Sequence, residues 1–162
     1  MSKEIMKILF AEDDEGHATL VQRNLQRAGI ANEIIHVKDG QEALDYLKNE
    51  RANGGHNQQI PMLMLLDINM PRLNGIDVLR AIKRDPSTAA LPVIMLTTTD
   101  DPREVQRCYQ LGCSVYLTKP MQYGAFVDAI KRLGMFLEIM VAPPMAIKAD
   151  VNGQPLEHAA HN

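Results

Sequence analysis

Cysteine is scarce, clustered basic residues are missing, and no apolar run approaches the length of a membrane span. The two cysteines, Cys108 and Cys113, have a spacing that matches no zinc pattern and read as reduced thiols of a cytoplasmic chain. With no block of Lys and Arg and a formal net charge of -3, nucleic acid is not expected as the main partner, because phosphate contacts need local positive charge. A bilayer-spanning helix needs about 20 apolar residues in a row, and the opening residues carry no signal-peptide core. Neither a membrane partner nor export is therefore expected. What is present is a 162-residue chain, 46% apolar and 23% charged, the balance of one folded domain with a full core.

That core centres on Met62-Leu-Met-Leu-Leu-Asp67-Ile-Asn69-Met-Pro71. Five apolar residues ending abruptly at a carboxylate read as a strand buried on both faces. Asp67 is either a turn cap before Pro71 or a carboxylate placed where open parallel sheets bind ligands. The same pattern recurs along the chain. Lys7-Ile-Leu-Phe-Ala11 runs into Glu12-Asp13-Asp14-Glu15, and a helix over about 16–28 stops at Gly29. Glu33–Val37 is a second strand. Asp39 and Glu42 resemble a capping box opening a second helix, and residues 49–59 read as an aperiodic loop. After the central strand, Asn74 caps a helix closing at Asp85-Pro86. Pro92–Thr97 is the fourth strand, Asp101-Pro102 starts a helix ending at Gly112, and Ser114–Thr118 is the fifth strand before Lys119-Pro120. The last helix is expected over about 122–141. Five strands alternating with five helices predict an α/β fold with a parallel sheet. Residues 1–141 form the domain, 142–162 a polar arm with His158 and His161, and no output domain is expected.

Four strand ends then offer polar groups on one edge: Glu12 and Asp13, Asp67, Thr97, and Lys119. Carboxylates packed together repel one another and are driven toward protonation. A divalent cation resolves the conflict, and all-oxygen ligation suits Mg²⁺. Asp13 and Asp67 read as direct ligands, Asn69 as a ligand through its backbone carbonyl, and Glu12 as one through water. With the anions neutralised, Asp67 can attack phosphorus and form an acyl phosphate. Thr97 can donate its hydroxyl to a phosphoryl oxygen, and Lys119 supplies a point charge to another.

Glu12-Asp13, Asp67-Ile-Asn-Met-Pro71, Thr97 and Tyr116 three residues before Lys119-Pro120 resemble the receiver domain of two-component response regulators, over about residues 5–137. The resemblance implies a doubly wound, flavodoxin-like sheet in the order 2-1-3-4-5, for which a receiver is a standard example. It implies phosphoryl transfer to Asp67 from a phosphohistidine of a sensor histidine kinase, a cis Lys119–Pro120 bond, and Tyr116 as a rotameric switch that fills space vacated by Thr97. The long loop before the central strand and the Phe136-Leu-Glu-Ile-Met-Val extension are similar to single-domain regulators paired with phytochrome-type kinases, bacteriophytochromes included. The chain is thus expected to be a phospho-switch or phosphorelay shuttle, not an enzyme beyond its own phosphorylation and dephosphorylation.

Plainer readings stand beside these. Thr97, Thr98 and Thr99 suit any strand, Tyr116 could be an ordinary half-buried aromatic, and His17, His36 and His56 read as solvated or structural. A haloacid-dehalogenase-type phosphatase needs a second aspartate where Asn69 stands, and an amide cannot shuttle that proton. A degenerate receiver would lack Asp67 or Lys119. In the last helix Phe126, Ile130, Leu133, Leu137 and Met140 form a docking seam, while Met135, Phe136, Ile139 and Val141 fall off it. Such exposed apolar surface predicts a homodimer through this helix and the Pro143-Pro144 arm.

Overall fold

The computed structural model describes residues 6–53 and 62–140. The expected loop tip with His56, together with Val141, the Pro143-Pro144 arm, His158 and His161, lies outside the described residues. The elements run β1 (Lys7–Ala11), α1 (Glu15–Arg27), β2 (Ile34–Val37), α2 (Gly40–Asn53), β3 (Met62–Leu66), α3 (Gly75–Arg84), β4 (Val93–Thr97), α4 (Pro102–Leu111), β5 (Val115–Thr118) and α5 (Tyr123–Ile139). All strand pairs are parallel and the sheet order is β2-β1-β3-β4-β5, as expected.

Because successive strand residues point to opposite faces, each central strand feeds two cores. Leu9, Met64, Leu66 and Met95 pack with Leu47 of α2, Leu79 and Ile82 of α3 and Cys108 of α4. Ile8, Phe10, Leu63, Leu65 and Ile94 pack on the other face with Val21 and Leu25 of α1 and Phe126, Ile130 and Leu133 of α5. All five residues of β3 are buried, which is why its sequence is an apolar run without alternation. Among the described residues no helix is long and apolar enough to cross a membrane.

The helix signals behave as their chemistry requires. Asn74 Oδ1 takes the Asp77 N–H at 3.0 Å, and Asp101 caps α4 with Pro102 following it. Gly112, at φ +105°, closes α4 while its N–H and that of Cys113 both reach the Cys108 carbonyl. At α2, Asp39 Oδ1 accepts the Glu42 N–H at 2.9 Å, but the reach-back carboxylate takes the Lys38 N–H, one residue before the cap. That helix also continues to Asn53, into the stretch expected to be loop. Lys48 and Glu50 are good helix formers, and Glu50 pairs with Lys7 of β1 at 3.5 Å, so polarity here marks a solvated helical face. The Lys119–Pro120 bond is trans, since no cis peptide occurs among the described residues. This corrects the expectation of a cis bond and follows the intrinsic preference for trans of about 0.5–1 kcal/mol.

The loop between β3 and α3 is held unusually close to its neighbours. A Cβ on Gly75 would lie 2.1 Å from the Asp67 carbonyl oxygen, and one on Gly40 2.1 Å from that of Leu73. Arg72 sits at φ +63°, and its guanidinium makes two 3.0 Å bonds to the Asp39 carboxylate. We expect Gly75→Ala to lower the thermal midpoint, by an overpacking cost of about 1–3 kcal/mol. Gly124→Ala, whose Cβ meets nothing within 4 Å, should leave the midpoint unchanged or raise it. Equal midpoints for both variants in calorimetry would show that the Gly75 contact relaxes freely.

Candidate functional site

Parallel strands deliver their carboxyl ends to one edge, and the backbone fixes the spacing there. The Asp67 N–H bonds the Ala11 carbonyl at 3.1 Å, and the Lys119 N–H bonds the Thr97 carbonyl at 2.7 Å. Glu12, Asp67, Thr97 and Lys119 are thereby gathered in a buried cluster, each no more than 6% exposed. Asp13 stands at its solvent-facing side.

The Lys119 ammonium is the positive centre. It forms a short ion pair with Glu12 Oε1 and lies 3.5 Å from Asp67 Oδ2. Burial pushes the Glu12 carboxyl up to about 8; the adjoining Asp67 carboxyl adds to the rise and Lys119 works against it. Glu12 Oε2 is buried, and among the described residues no donor satisfies it. A carboxyl facing another carboxyl closes such a gap only by keeping a proton or by sharing a cation.

One oxygen from each of Glu12, Asp13 and Asp67 can lie within 4.8 Å of the others. Three hard oxygens, one carboxylate oxygen unsatisfied and one carboxylate facing solvent, are a donor set for Mg²⁺ or Mn²⁺. The residues present therefore fit a divalent ion. The Asn69 N–H leans on Asp67 Oδ1 at 3.4 Å, and its side-chain amide donates to Thr99 Oγ1 at 3.3 Å. An open cleft of about 300 Å³, lined by Asn69, Asn74, Asp77, Thr99 and Arg107 among others, abuts this loop.

Thr97 is wholly buried, and its Oγ1 receives only a long 3.4 Å bond from the Thr99 N–H. Tyr116 is half-buried. Its hydroxyl donates to the Thr99 carbonyl at 2.6 Å, and burial holds the phenol up at about 12, so it stays a donor at neutral pH. Its own N–H is taken by the Tyr109 hydroxyl of α4 at 3.1 Å.

Two histidines border this site, and His36 keeps the structural part expected of it. His36 Nε2 lies 2.7 Å from the Glu12 carbonyl oxygen, tying β2 to the start of the acidic loop. His17 is a correction, since its ring meets a side chain of the cluster. Asp14 caps α1 by accepting the His17 N–H at 2.9 Å, one residue earlier than the helix start read from sequence. The imidazole then falls over the strand ends, with Nδ1 3.2 Å from Lys119 Nζ. A cap at Asp14 was the signal that could have placed it there.

Comparison with known proteins agrees with this chemistry. A response regulator receiver domain from Rhodospirillum rubrum superposes with a TM-score of 0.80 at 47% identity, covering 87% of this chain and 99% of that one. The Mn²⁺-bound form of response regulator Rcp1 gives 0.74 at 31% identity, over 86% and 99% of the two chains. The phosphorylated cyanobacterial phytochrome response regulator RcpA gives 0.76 at 31% identity, over the same shares. The profile of the response regulator receiver domain matches residues 8–131, a span holding four strands whole, all of β1 but Lys7, and every residue of the buried cluster. On fold, site and sequence together, the chain belongs to the response regulator receiver domain family.

Proposed function

We propose that this receiver works alone, taking a phosphoryl group onto Asp67 from a phosphohistidine of a sensor histidine kinase and serving as a phospho-switch or phosphorelay shuttle. The observation that carries the reading is the buried meeting of Asp67, Lys119 and an unsatisfied Glu12 at one sheet edge. Asp13 and Asp67 would hold Mg²⁺ directly, Asn69 through its backbone carbonyl and Glu12 through water. Bound there, the ion neutralises the carboxylates and the incoming phosphoryl oxygens. An Asp67 oxygen attacks phosphorus, the P–N bond to the donor histidine breaks, and the imidazole leaves. Thr97 and Lys119 donate to phosphoryl oxygens as charge builds there. The likeness to the phytochrome regulator RcpA favours a kinase of the phytochrome type, such as a bacteriophytochrome. As a domain of signalling rather than metabolism, the chain turns over only its own phosphate. Its extent is read as residues 1–141, with 142–162 as an arm.

A homodimer is the second part of the reading. Phe126, Ile130, Leu133 and Leu137 are buried along the seam of α5, while Met135, Phe136 and Ile139 are 59%, 44% and 79% exposed. A patch of this kind at a helix end suits a symmetric, isologous contact.

Asp67→Asn should abolish uptake of phosphoryl from a small phosphodonor with Mg²⁺, because an amide is a poor nucleophile. Stoichiometric, acid-labile labelling of that variant would move the acceptor elsewhere. Burial raises the Glu12 carboxyl to about 8, so at neutral and mildly acidic pH a proton competes with a divalent ion for its oxygens. Mg²⁺ affinity should therefore rise with pH through that window, by at most about tenfold per unit. Calorimetry in buffers of different ionisation enthalpy should detect the released proton; a pH-independent affinity contradicts this. Finally, sedimentation should find wild type dimeric at micromolar concentration and the Phe136→Asp/Ile139→Asp variant monomeric and folded.

A further inference from the structure

Lys119 is 3% exposed, so its ammonium must find acceptors inside the protein. Three polar groups surround it: Glu12 Oε1 in the short ion pair, His17 Nδ1 at 3.2 Å and Asp67 Oδ2 at 3.5 Å. Because an ammonium only donates, His17 Nδ1 is an acceptor in this contact. The opposite pairing, with Nδ1 donating to Glu12 Oε1, is longer at 3.4 Å and would turn an Nδ1–H donor against the ammonium, which can only donate. Charge-assisted N–H···O bonds run about 2.7–2.9 Å, so the contact with Asp67 is Coulombic attraction without a well-formed hydrogen bond. The ammonium is thus seated on Glu12 and His17, beyond good hydrogen-bonding distance of Asp67.

We infer that His17 is a positioning residue that holds the Lys119 ammonium back from Asp67, leaving the carboxylate free to attack and the ammonium facing the incoming phosphoryl group. The inference rests on the reading of Asp67 as the acceptor. His17 is itself held from two sides. Its backbone is fixed by the Asp14 cap, and its ring lies against Phe126 of α5, centroids 5.6 Å apart and planes tilted by 58°. Such support from packing and capping keeps a functional group in one orientation. Without the imidazole no acceptor on the α1 side draws the ammonium away from Asp67. Lys119 then settles onto Asp67, masking the nucleophile and competing with a divalent ion for the same oxygens.

The test compares wild type with His17→Ala and His17→Asn, whose side-chain oxygen can stand where Nδ1 stood. Uptake from phosphoramidate at saturating Mg²⁺ is followed by ³¹P NMR, with Mg²⁺ affinity and thermal midpoint measured beside it. His17→Ala should react roughly tenfold more slowly, the size of losing one hydrogen bond to a charged group. It should also bind Mg²⁺ more weakly and keep its midpoint near that of the wild type, since alanine is the best helix former and offsets the packing lost at this partly buried position. His17→Asn should recover most of the rate. A wild-type rate in His17→Ala, an asparagine variant as slow as alanine, or a rate loss that follows a lowered midpoint overturns the inference alone. A wild type that takes up no phosphoryl group overturns the receiver reading, and the inference with it.

Discussion

The interaction on which the rest of this structure depends is the burial of Lys119 against Glu12 beneath Asp67. Taking two charges out of water costs several kcal/mol per ion, and their attraction returns that only when every remaining donor and acceptor is met. Here one carboxylate oxygen is left unmet. A buried pair built for stability alone would satisfy it or give way to apolar packing. An unmet oxygen beside a solvent-facing Asp13 makes sense when a further positive group is to arrive.

The fold supplies this cluster through backbone geometry rather than through strong local interactions. Parallel pairing places the ends of β1, β3, β4 and β5 on one edge, and the two cores hold them there from either face. The loop that carries Asn69 needs more. It crosses a left-handed residue, Arg72, and passes so near Asp67 that only glycine fits at position 75. Non-glycine residues at positive φ cost about 1 kcal/mol or more. The two Arg72 bonds to Asp39, which also caps α2, offset part of that cost and fasten the loop to a second helix.

Most of this was legible in the sequence, because apolar runs that end in carboxylates have few other uses. Met62 to Leu66 read as a doubly buried strand and is one, and Asn74, Asp101-Pro102 and Gly112 each marked a helix end by a specific bond. What was not legible involves groups far apart in sequence. His17 and Lys119 meet across 102 positions, and no spacing rule announces such a pair. The extension of α2 was hidden because a solvated helical face and a loop share a polar composition. The isomer of Lys119–Pro120 was not fixed by residue identity, since an X–Pro pair prefers trans only slightly.

Thr99 shows how the site reaches the surface. Its N–H rests on Thr97 Oγ1 at 3.4 Å, its Oγ1 receives the Asn69 amide at 3.3 Å, and its carbonyl takes the Tyr116 hydroxyl at 2.6 Å. The two bonds on the site side are long and therefore weak; the one on the Tyr116 side is short. In the proposed switch, a threonine hydroxyl drawn toward a phosphoryl anion would give up little by leaving Thr99, and the freed backbone would carry the tyrosine's anchor with it. Tyr116 in turn gives its N–H to Tyr109 of α4, so a shift there is felt on an exposed helix. Coupling of this kind needs two discrete packings rather than a stiff wire. Weak bonds inside and strong ones outside are the arrangement in which a small local charge change selects between them.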